Sequence, residues 1–397
     1  MDSGEAAEIR PRRPLFLRSD EYARLSQALP RNGERAEIVQ AIIDATGVLD
    51  AFDVEDAQPA TARELQAFHS RDFVAALQKA QKLPRDDREL YGLVDDCDAV
   101  PSLFEIVRLE AGGSIQESPP SKPGILGHIP PCDLAIWWGG GRHHAAGNAA
   151  SGYCYVNDAV LAVLALLQAF PRVMYVDIDV HHGDGVEEAF ALSDEVLSLS
   201  FHHHAPLFFP GSGGLEAQGG EGGRRAVLNV PLKEGCSDET FIPLFERTLR
   251  EAAGVFRPEA IVLQCGADAL HGDPLGCLNL SPLAYTAALE ACRSLRTPLL
   301  LLGGGGYTPA NVARCWAALT FAAARIPPPV DIPPHAFFEI YAPGFAFALA
   351  AGHRRDQNDA DYLSRVHEVP FYAKSQPRLV EPLTTSLVDV WLGCVWS

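Results

Sequence analysis

The chain has 397 residues, of which 47% are hydrophobic and 21% are charged, which is typical of a globular protein and excludes a disordered one. Its net charge of −19 argues against direct binding to nucleic acid and suits either a basic partner or solubility alone. The nine cysteines contain no C-x-x-C pair, so neither a disulfide framework nor a cysteine zinc site is expected. The N-terminus lacks an apolar signal segment, and the longest apolar run, Ala159–Phe170, is too short to cross a membrane. We therefore expect a protein of the nucleus or cytoplasm.

The first hundred residues predict helices, most clearly at Glu34–Thr46, packed around the edge of a sheet that later residues form. Gln116–Asp133 is rich in proline and glycine, which predicts a loop. This loop could link two domains, but the segment before it shows no strand pattern from which to build a second sheet. We expect a flexible N-terminus at 1–14, a single domain at 15–370 and a tail of unknown role at 371–397.

From about residue 130, short apolar runs alternate with longer helical patterns. This alternation predicts an α/β fold in which a mostly parallel sheet carries helices on both faces. The predicted strands are Asp133–Trp138, Arg172–Ile178, Glu195–Ser200, Ala226–Val230, Ala260–Gln264 and Pro298–Leu302. The predicted helices are Asn157–Phe170, Ser237–Phe256 and Ser281–Arg296, of which the last two begin with a serine suited to the N-cap.

Unusual polar clusters follow the predicted strands. They read GGGRHHAAG after Trp138, DVHHGDG after Ile178, FHHHAP after Ser200, CGADALHGD after Gln264 and GGGGY after Leu302. The carboxyl ends of parallel strands share one edge of a sheet, where ligand sites of open α/β folds form. The five clusters therefore predict a functional site at that edge.

A metal site is the first expectation for these clusters. Asp179 and His181 are two residues apart, so in extended backbone their side chains project to the same side, and Asp268 could join them from another strand. Two carboxylates and one imidazole leave room for water, as a catalytic zinc or iron(II) site requires. An isolated D-x-H would more often be a solvated turn, but the strand context and the neighbouring clusters favour metal binding.

The adjacent histidines His143 and His144 could be ligands, or a general base and an electrostatic partner beside an activated water. Asp177 and Asp184 are carboxylates suited to fixing imidazole tautomers.

Two further glycine-rich or histidine-rich stretches bear on the site. Gly303–Gly306 allows close approach of the backbone and places the phenol of Tyr307 near a reacting carbonyl. His202–His204 could also bind metal, but no acidic residue accompanies it, which disfavours that interpretation.

Several longer motifs occur in a fixed order: GGGRHHA, SGYCYVNDA, YVDIDVHHGDGVEEAF, FFPGSG, LNVPL, LQCGADAL and LLGGGGY. Together they resemble the class I zinc-dependent histone deacetylases, over about Leu15 to His367. The resemblance implies a single α/β domain around an eight-stranded parallel sheet, the fold shared with arginases. It also implies removal of acetyl groups from lysine side chains of histones or other proteins.

The resemblance further implies roles for individual residues. The zinc ligands would be Asp179, His181 and Asp268. The catalytic groups would be His144 as general base and acid with Asp184, His143 as electrostatic partner with Asp177, and Tyr307 for the oxyanion. The acyl-lysine channel and its rim would be formed by Asp96, Gly152, Tyr153, Phe209, Leu275 and Gly305, with Arg35 in an internal channel.

Potassium binding is implied in the same way. One site would use Asp177, Asp179, His181, Ser200 and Phe201, and a distal site would use Phe190, Ser193 and Val196.

The chain departs from the family at several positions. Arg142 stands before the histidine pair in place of an apolar residue, and Tyr153 replaces a phenylalanine. The basic stretch that binds inositol phosphate and corepressor in some class I members is missing near Arg31–Val39, and Pro274 replaces a basic residue. We therefore expect that a corepressor is not obligatory.

Three other functions compete with this expectation. An arginase-like two-metal site wants D-x-H-x-D, whereas the acid after His181 is Asp184, one residue too late. An acetylpolyamine deacetylase would share the catalytic residues, but the apolar Leu275 at the channel mouth favours peptidyl lysine. A non-catalytic protein that binds acyl-lysine or scaffolds a complex would have little need for the full set of ligands, histidines and tyrosine.

Overall fold

The computed structural model describes residues 13–116, 133–217 and 226–368. Eight strands form one sheet in the order β2-β1-β3-β8-β7-β4-β5-β6, and every neighbouring pair is parallel. The strands are β1 Leu15–Arg18, β2 Asp53–Asp56, β3 Leu134–Trp137, β4 Val173–Asp177, β5 Val196–His203, β6 Val227–Leu232, β7 Ala260–Gln264 and β8 Leu299–Leu302.

Helices cover the sheet, and some of them begin after a residue whose side chain accepts a free backbone N–H, although Ser237, before the helix Asp238–Phe256, makes no such bond. Asn157 accepts the N–H of Val160, and Ser281 accepts that of Leu283 directly before a proline-initiated helix. The helices are α1 Asp20–Leu25, α2 Arg35–Thr46, α3 Ala62–Leu65, α4 Arg71–Gln78, α5 Arg85–Leu90, α6 Leu103–Gln116, α7 Asp158–Leu167, α8 Asp184–Phe190, α9 Asp238–Phe256, α10 Pro282–Ser294, α11 Pro309–Ala324 and α12 Ala360–Glu368. In the described ranges, none of these helices combines the length and the apolar character needed to span a membrane.

Each face of the sheet has its own hydrophobic core. Successive side chains of β4 alternate between the two, with Met174 and Val176 on one face and Val173 and Tyr175 on the other. The first core includes residues of α2, α9, α10 and α11, and the second includes residues of α1, α4, α6 and α7. Both faces are therefore covered by helices, as parallel sheets require.

The predicted architecture is confirmed: a single α/β sheet, parallel throughout, with helices on both faces. The six predicted strands and three predicted helices all form, with ends shifted by up to three residues.

The expectation for the first hundred residues was incomplete. They contribute β1 and β2 to the sheet as well as helices. These strands escaped prediction because each has only four residues, and the edge strand β2, with the sequence DVED, is mostly exposed and has no apolar alternation. The expectation that this segment has no strands, used above against a domain linker at Gln116–Asp133, was therefore wrong. Both strands nevertheless join the same sheet as the later strands and do not form a second one. Residues 117–132, and most of the predicted terminal segments 1–14 and 371–397, lie outside the described residues.

Candidate metal centre and active-site cavity

Three of the predicted ligands meet at the carboxyl edge of the sheet. Asp179 and His181 follow β4, while Asp268 lies in a short turn after β7, the neighbouring strand. One ligand atom from each residue lies within 4.8 Å of the other two, and all three residues are buried. The structure therefore brings these three residues together at one buried point.

Backbone amides and the Gln264 side chain fix both carboxylates. Asp179 Oδ2 accepts hydrogen bonds from Gln264 Nε2 and the Gly305 amide, each at 2.9 Å, and Asp268 Oδ1 accepts the Val180 amide at 2.9 Å. The remaining oxygens, Asp179 Oδ1 and Asp268 Oδ2, each lie 3.2 Å from His181 Nδ1. These three atoms therefore converge on one point, and Asp179 Oδ1 also accepts the His181 amide at 3.1 Å.

The charges at this point suit a cation. Burial and the nearby Asp179 raise the pKa of Asp268 to about 7, because two carboxylates in a dry site repel each other. A divalent ion among two carboxylates and an imidazole would offset this repulsion, and the donor set fits zinc or iron(II). Gly305 is needed here because a Cβ at its position would overlap the Asp268 carboxylate.

His143 is held beside the ligands by Asp177. Its Nδ1 lies 2.7 Å from Asp177 Oδ2, which also accepts the hydroxyl of Tyr175 at 2.7 Å. Burial opposes the charge of His143, but the carboxylates of Asp177 and Asp179 outweigh it and raise the pKa to about 9. The two carboxylates therefore favour the protonated form of His143.

His144 has the opposite electrostatic character. Its Nδ1 lies 2.7 Å from Asp184 Oδ1, at the start of α8. Burial and the adjacent charge of His143 lower the pKa of His144 to about 4, against the effect of Asp184. With Nδ1–H donated to Asp184, the neutral ring presents an unprotonated Nε2. Two adjacent histidines with pKa values pushed apart are suited to separate acid–base roles.

A cavity of about 300 Å³ leads from the surface to these groups. Aromatic rings form its walls: Phe208 stacks on His181 with ring centroids 5.2 Å apart, and Phe209 meets His144 edge-on at 4.9 Å. Gly152, at a φ of 55°, borders both His144 and Phe209 so closely that a Cβ would collide with their rings. The lining residues are Asp96, His144, Gly152, Tyr153, His181, Leu207, Phe208, Phe209, Leu275 and Tyr307.

Tyr307 enters the cavity from the loop after β8. Its ring lies 5.8 Å from that of Tyr153. Burial, together with the charges of Asp268 and Asp179, holds the pKa of Tyr307 well above its usual value, so its phenol stays a hydrogen-bond donor at neutral pH.

The structure adds residues that sequence reasoning missed. Asp273 accepts the amides of Tyr307 at 2.7 Å and Leu275 at 2.9 Å, which ties the phenol to the rim. Gln264 supports Asp179, as described above. Asp273 lies in the ALHGDPLG stretch after β7, but nothing in the sequence gives the partner of its carboxylate.

Three predicted rim and channel residues lie around the cavity or behind the glycine-rich loop. Asp96 Oδ2 accepts the Gly152 amide at 3.0 Å, and Leu275 is half-buried at the mouth. Arg35 is buried and donates to the carbonyls of Gly304 at 3.1 Å and Gly306 at 2.9 Å. It therefore supports the glycine-rich loop from behind.

Arg142, a departure from the family, does not lie at the rim. Its side chain is buried behind the histidine pair, where Nε lies 2.6 Å from Glu110 Oε1 of α6 and Nη2 donates to the Tyr22 hydroxyl at 3.2 Å. A buried carboxylate therefore compensates the charge that Arg142 brings to a position where the family has an apolar residue.

Other predicted groups lie near the centre. Ser200 of β5 pairs in register with Asp177 of β4, and Phe201 is buried next to it, whereas Phe190, Ser193 and Val196 cluster where α8 leads into β5. His202 bonds to Ser200 Oγ at 2.9 Å and to the Gly213 carbonyl at 2.8 Å. Both nitrogens of His202 are thus engaged within the protein.

Comparisons with known proteins identify the family. The histone deacetylase domain family matches residues 29–323. The chain is 40% identical to histone deacetylase 9 of Arabidopsis thaliana over 341 residues, which are 85% of this chain and 79% of that protein. It is 37% identical to histone deacetylase 8 of Danio rerio over 360 residues, 90% of this chain and 94% of that protein. The resemblance is confirmed: the chain belongs to the histone deacetylase family, as a class I-like lysine deacetylase.

Proposed function

We propose that this deacetylase hydrolyses the amide of Nε-acetyl-lysine in histone tails or other proteins. One observation carries the proposal: His181, the neutral His144 and the phenol of Tyr307 line the same aromatic-walled cavity. The narrow, extended methylene chain of acyl-lysine and its planar amide fit between such walls. A general base, an oxyanion donor and a metal ligand then face the position of its carbonyl.

Asp179, His181 and Asp268 would hold one zinc or iron(II) ion, and such an ion polarises a carbonyl oxygen and makes water more acidic. His144 Nε2 takes the proton of the water that attacks the acyl carbon. Asp184 stabilises the imidazolium that forms, as a carboxylate on Nδ1 does in serine hydrolases. The same proton then passes to the lysine nitrogen as the C–N bond breaks, which yields acetate and free lysine.

Tyr307 and His143 act on charge. As the acyl carbon becomes tetrahedral, its oxygen gains negative charge, and the Tyr307 phenol donates a hydrogen bond to it. The imidazolium of His143, which is fixed by Asp177, adds a positive charge nearby. Both groups interact more strongly with the transition state than with the substrate, which is the condition for a faster reaction.

The rim favours peptidyl lysine over a polyamine. Leu275 at the mouth is apolar, whereas a cationic polyamine would be better held by an acidic residue there. Asp96 lies at the rim with its carboxylate on the Gly152 amide, and its second oxygen suits a substrate backbone N–H. The net charge of −19 and Asp96 attract basic peptides and cationic polyamines alike, so the preference for peptidyl lysine rests on Leu275.

The test is a comparison of substrates. The kcat/KM of the zinc-loaded protein is measured on a histone-derived acetyl-lysine peptide and on an N-acetylated polyamine, together with metal content. The proposal requires faster turnover of the peptide and about one divalent ion per chain. Faster turnover of the polyamine would identify an acetylpolyamine deacetylase. Two manganese ions per chain would identify an arginase-like enzyme. Binding of the peptide without turnover would identify a non-catalytic binding or scaffold protein.

Further parts of the proposal concern ions and cellular context. Potassium would bind at the Asp177 and Ser200 site and at the distal Phe190 site, and removing potassium should change kcat. The absence of the basic stretch near Arg31–Val39 supports activity without an obligatory corepressor. We also propose a location in the nucleus or cytoplasm.

A further inference from the structure

Leu207 combines two unfavourable features at the mouth of the cavity. Leu207 is fully exposed, at 106% of the reference area, although burying a leucine side chain away from water is favourable. Its backbone has a φ of 67°, a left-handed conformation that residues other than glycine and asparagine rarely adopt.

The local turn explains how Leu207 is held there. The Phe208 amide donates to the Ala205 carbonyl at 3.1 Å, which closes a four-residue turn. Leu207 takes its third position, where a positive φ normally selects glycine. Phe208 anchors the turn, because its ring lies 5.2 Å from that of His181 and 4.6 Å from that of His203. The turn therefore points Leu207 outward beside the metal site.

The neighbours of Leu207 make the rim apolar. Phe209 is 42% exposed and Leu275 is half-buried, and both line the cavity together with Leu207. An exposed apolar patch that continues a binding cavity is the usual mark of a recognition surface. Strained backbone conformations likewise concentrate at functional sites.

We propose that Leu207 is a specificity residue that contacts a bulky apolar side chain next to the acyl-lysine of a peptide substrate. This inference rests on the proposed function, because it takes the cavity as the acyl-lysine site. The occupant is a peptide segment, since a free polyamine has no side chain to lay against Leu207. Contact with Leu207, Phe209 and Leu275 removes apolar surface of both partners from water.

The test compares two sets of acetyl-lysine peptides that differ only in the residue before or after the lysine, leucine in one set and glycine in the other. At one of these positions, wild type should prefer leucine by about fivefold in kcat/KM, as partial burial of one leucine side chain predicts. The Leu207→Gly and Leu207→Asn variants, which tolerate the left-handed backbone, should lose this preference. Leu207→Met should keep most of it.

Controls separate specificity from folding. Leu283→Ala removes another exposed leucine, on α10, that is 61% exposed, and it should leave the preference intact. Leu207→Gly should not lower the Tm, because it relieves backbone strain. A lower Tm with equal losses on both peptides would make Leu207 structural and overturn the inference, as would an unchanged preference.

Binding decides the inference even without turnover. Fluorescence anisotropy with the same peptides is measured in a His144→Ala background, with and without Leu207→Gly. If wild type hydrolyses none of the peptides, the proposed function fails, while tighter binding of leucine peptides that depends on Leu207 still supports the rim contact. Hydrolysis with no leucine preference would refute the inference alone.

Discussion

The Nδ1 of His144 lies 2.7 Å from Oδ1 of Asp184, the residue that begins α8. This contact sets the tautomer that leaves Nε2 free to accept a proton, in a ring whose pKa is lowered to about 4 by burial and by His143. The segment after β4 thus supplies two of the candidate metal ligands, Asp179 and His181, and, where α8 begins, the carboxylate that orients His144.

Asp184→Asn should therefore lower kcat by roughly 10²- to 10⁴-fold, because the amide carries no charge to stabilise the imidazolium. Metal content should stay at the wild-type level, since Asp184 is not among the converging ligand atoms. Glu188→Gln, an exposed change on the same helix, is the matched control. Unchanged kcat in Asp184→Asn would remove His144 from the general-base role.

Tyr307→Phe tests the oxyanion donor. Loss of one such donor costs about 10²–10³ in turnover, or roughly 3–4 kcal/mol, so kcat should fall by that order while KM and metal content change little. If Tyr307 only packs against the glycine-rich loop, phenylalanine keeps the ring and the activity. A variant within about threefold of wild-type kcat, below roughly 1 kcal/mol, would show the packing role.

The buried pair of Arg142 and Glu110 predicts a non-additive pattern in stability. Their side chains are 9% and 1% exposed, so Arg142→Leu should lower the free energy of unfolding by about 3–5 kcal/mol, because it strands a buried carboxylate. Adding Glu110→Leu should recover most of this loss, since an apolar pair needs no compensation. Urea unfolding measures both.

An exposed pair gives the control for that cycle. Arg85 and Glu89 lie 2.8 Å apart with side chains 65% and 51% exposed, and Arg85→Leu should change stability only slightly because solvent screens the interaction. Additive losses at Arg142 and Glu110 would mean that the two side chains act independently.

His69 predicts a pH-dependent stability. Its Nε2 accepts the Asn157 amide at 3.0 Å, and burial lowers its pKa in the folded protein to about 4. The unfolded chain takes up the proton near the ordinary value of about 6.5, so the folded state loses stability as the pH falls from there toward 4. The loss should be about 2 kcal/mol between pH 7 and pH 5.

His69→Gln should remove that part of the pH dependence in urea unfolding, whatever its effect at pH 7. His353→Gln, the same substitution at an exposed histidine, is the matched control variant. If the free energy of unfolding changes with pH equally in wild type and His69→Gln, then burial does not lower the pKa of His69 in the folded protein.

The sequence predicted six of the eight strands and placed Asp179 and His181 side by side because these features depend on local patterns. Buried strands such as Val173–Asp177 are apolar along their length, and the spacing of Asp179 and His181 directs both side chains to one place. The edge strand Asp53–Asp56 carries no such pattern, because its side chains are mostly in water.

What could not be predicted depends on partners distant in sequence or on backbone conformation. Glu110 compensates Arg142 from 32 residues away, and the Asp273 carboxylate meets the Tyr307 amide across 34 residues. The left-handed φ of Leu207 could not be predicted either, because a positive φ is usually indicated by a glycine and this position holds a leucine.

We propose above that the chain hydrolyses acetyl-lysine with one metal ion held by Asp179, His181 and Asp268. The most direct measurement is acetate released from an acetyl-lysine peptide, followed against the amount of divalent ion bound per chain. We expect repeated turnover that rises with occupancy to about one ion per chain, and loss of turnover in a His144→Ala variant that still binds the ion. Wild-type protein that holds one ion and binds the peptide without releasing acetate would contradict the account.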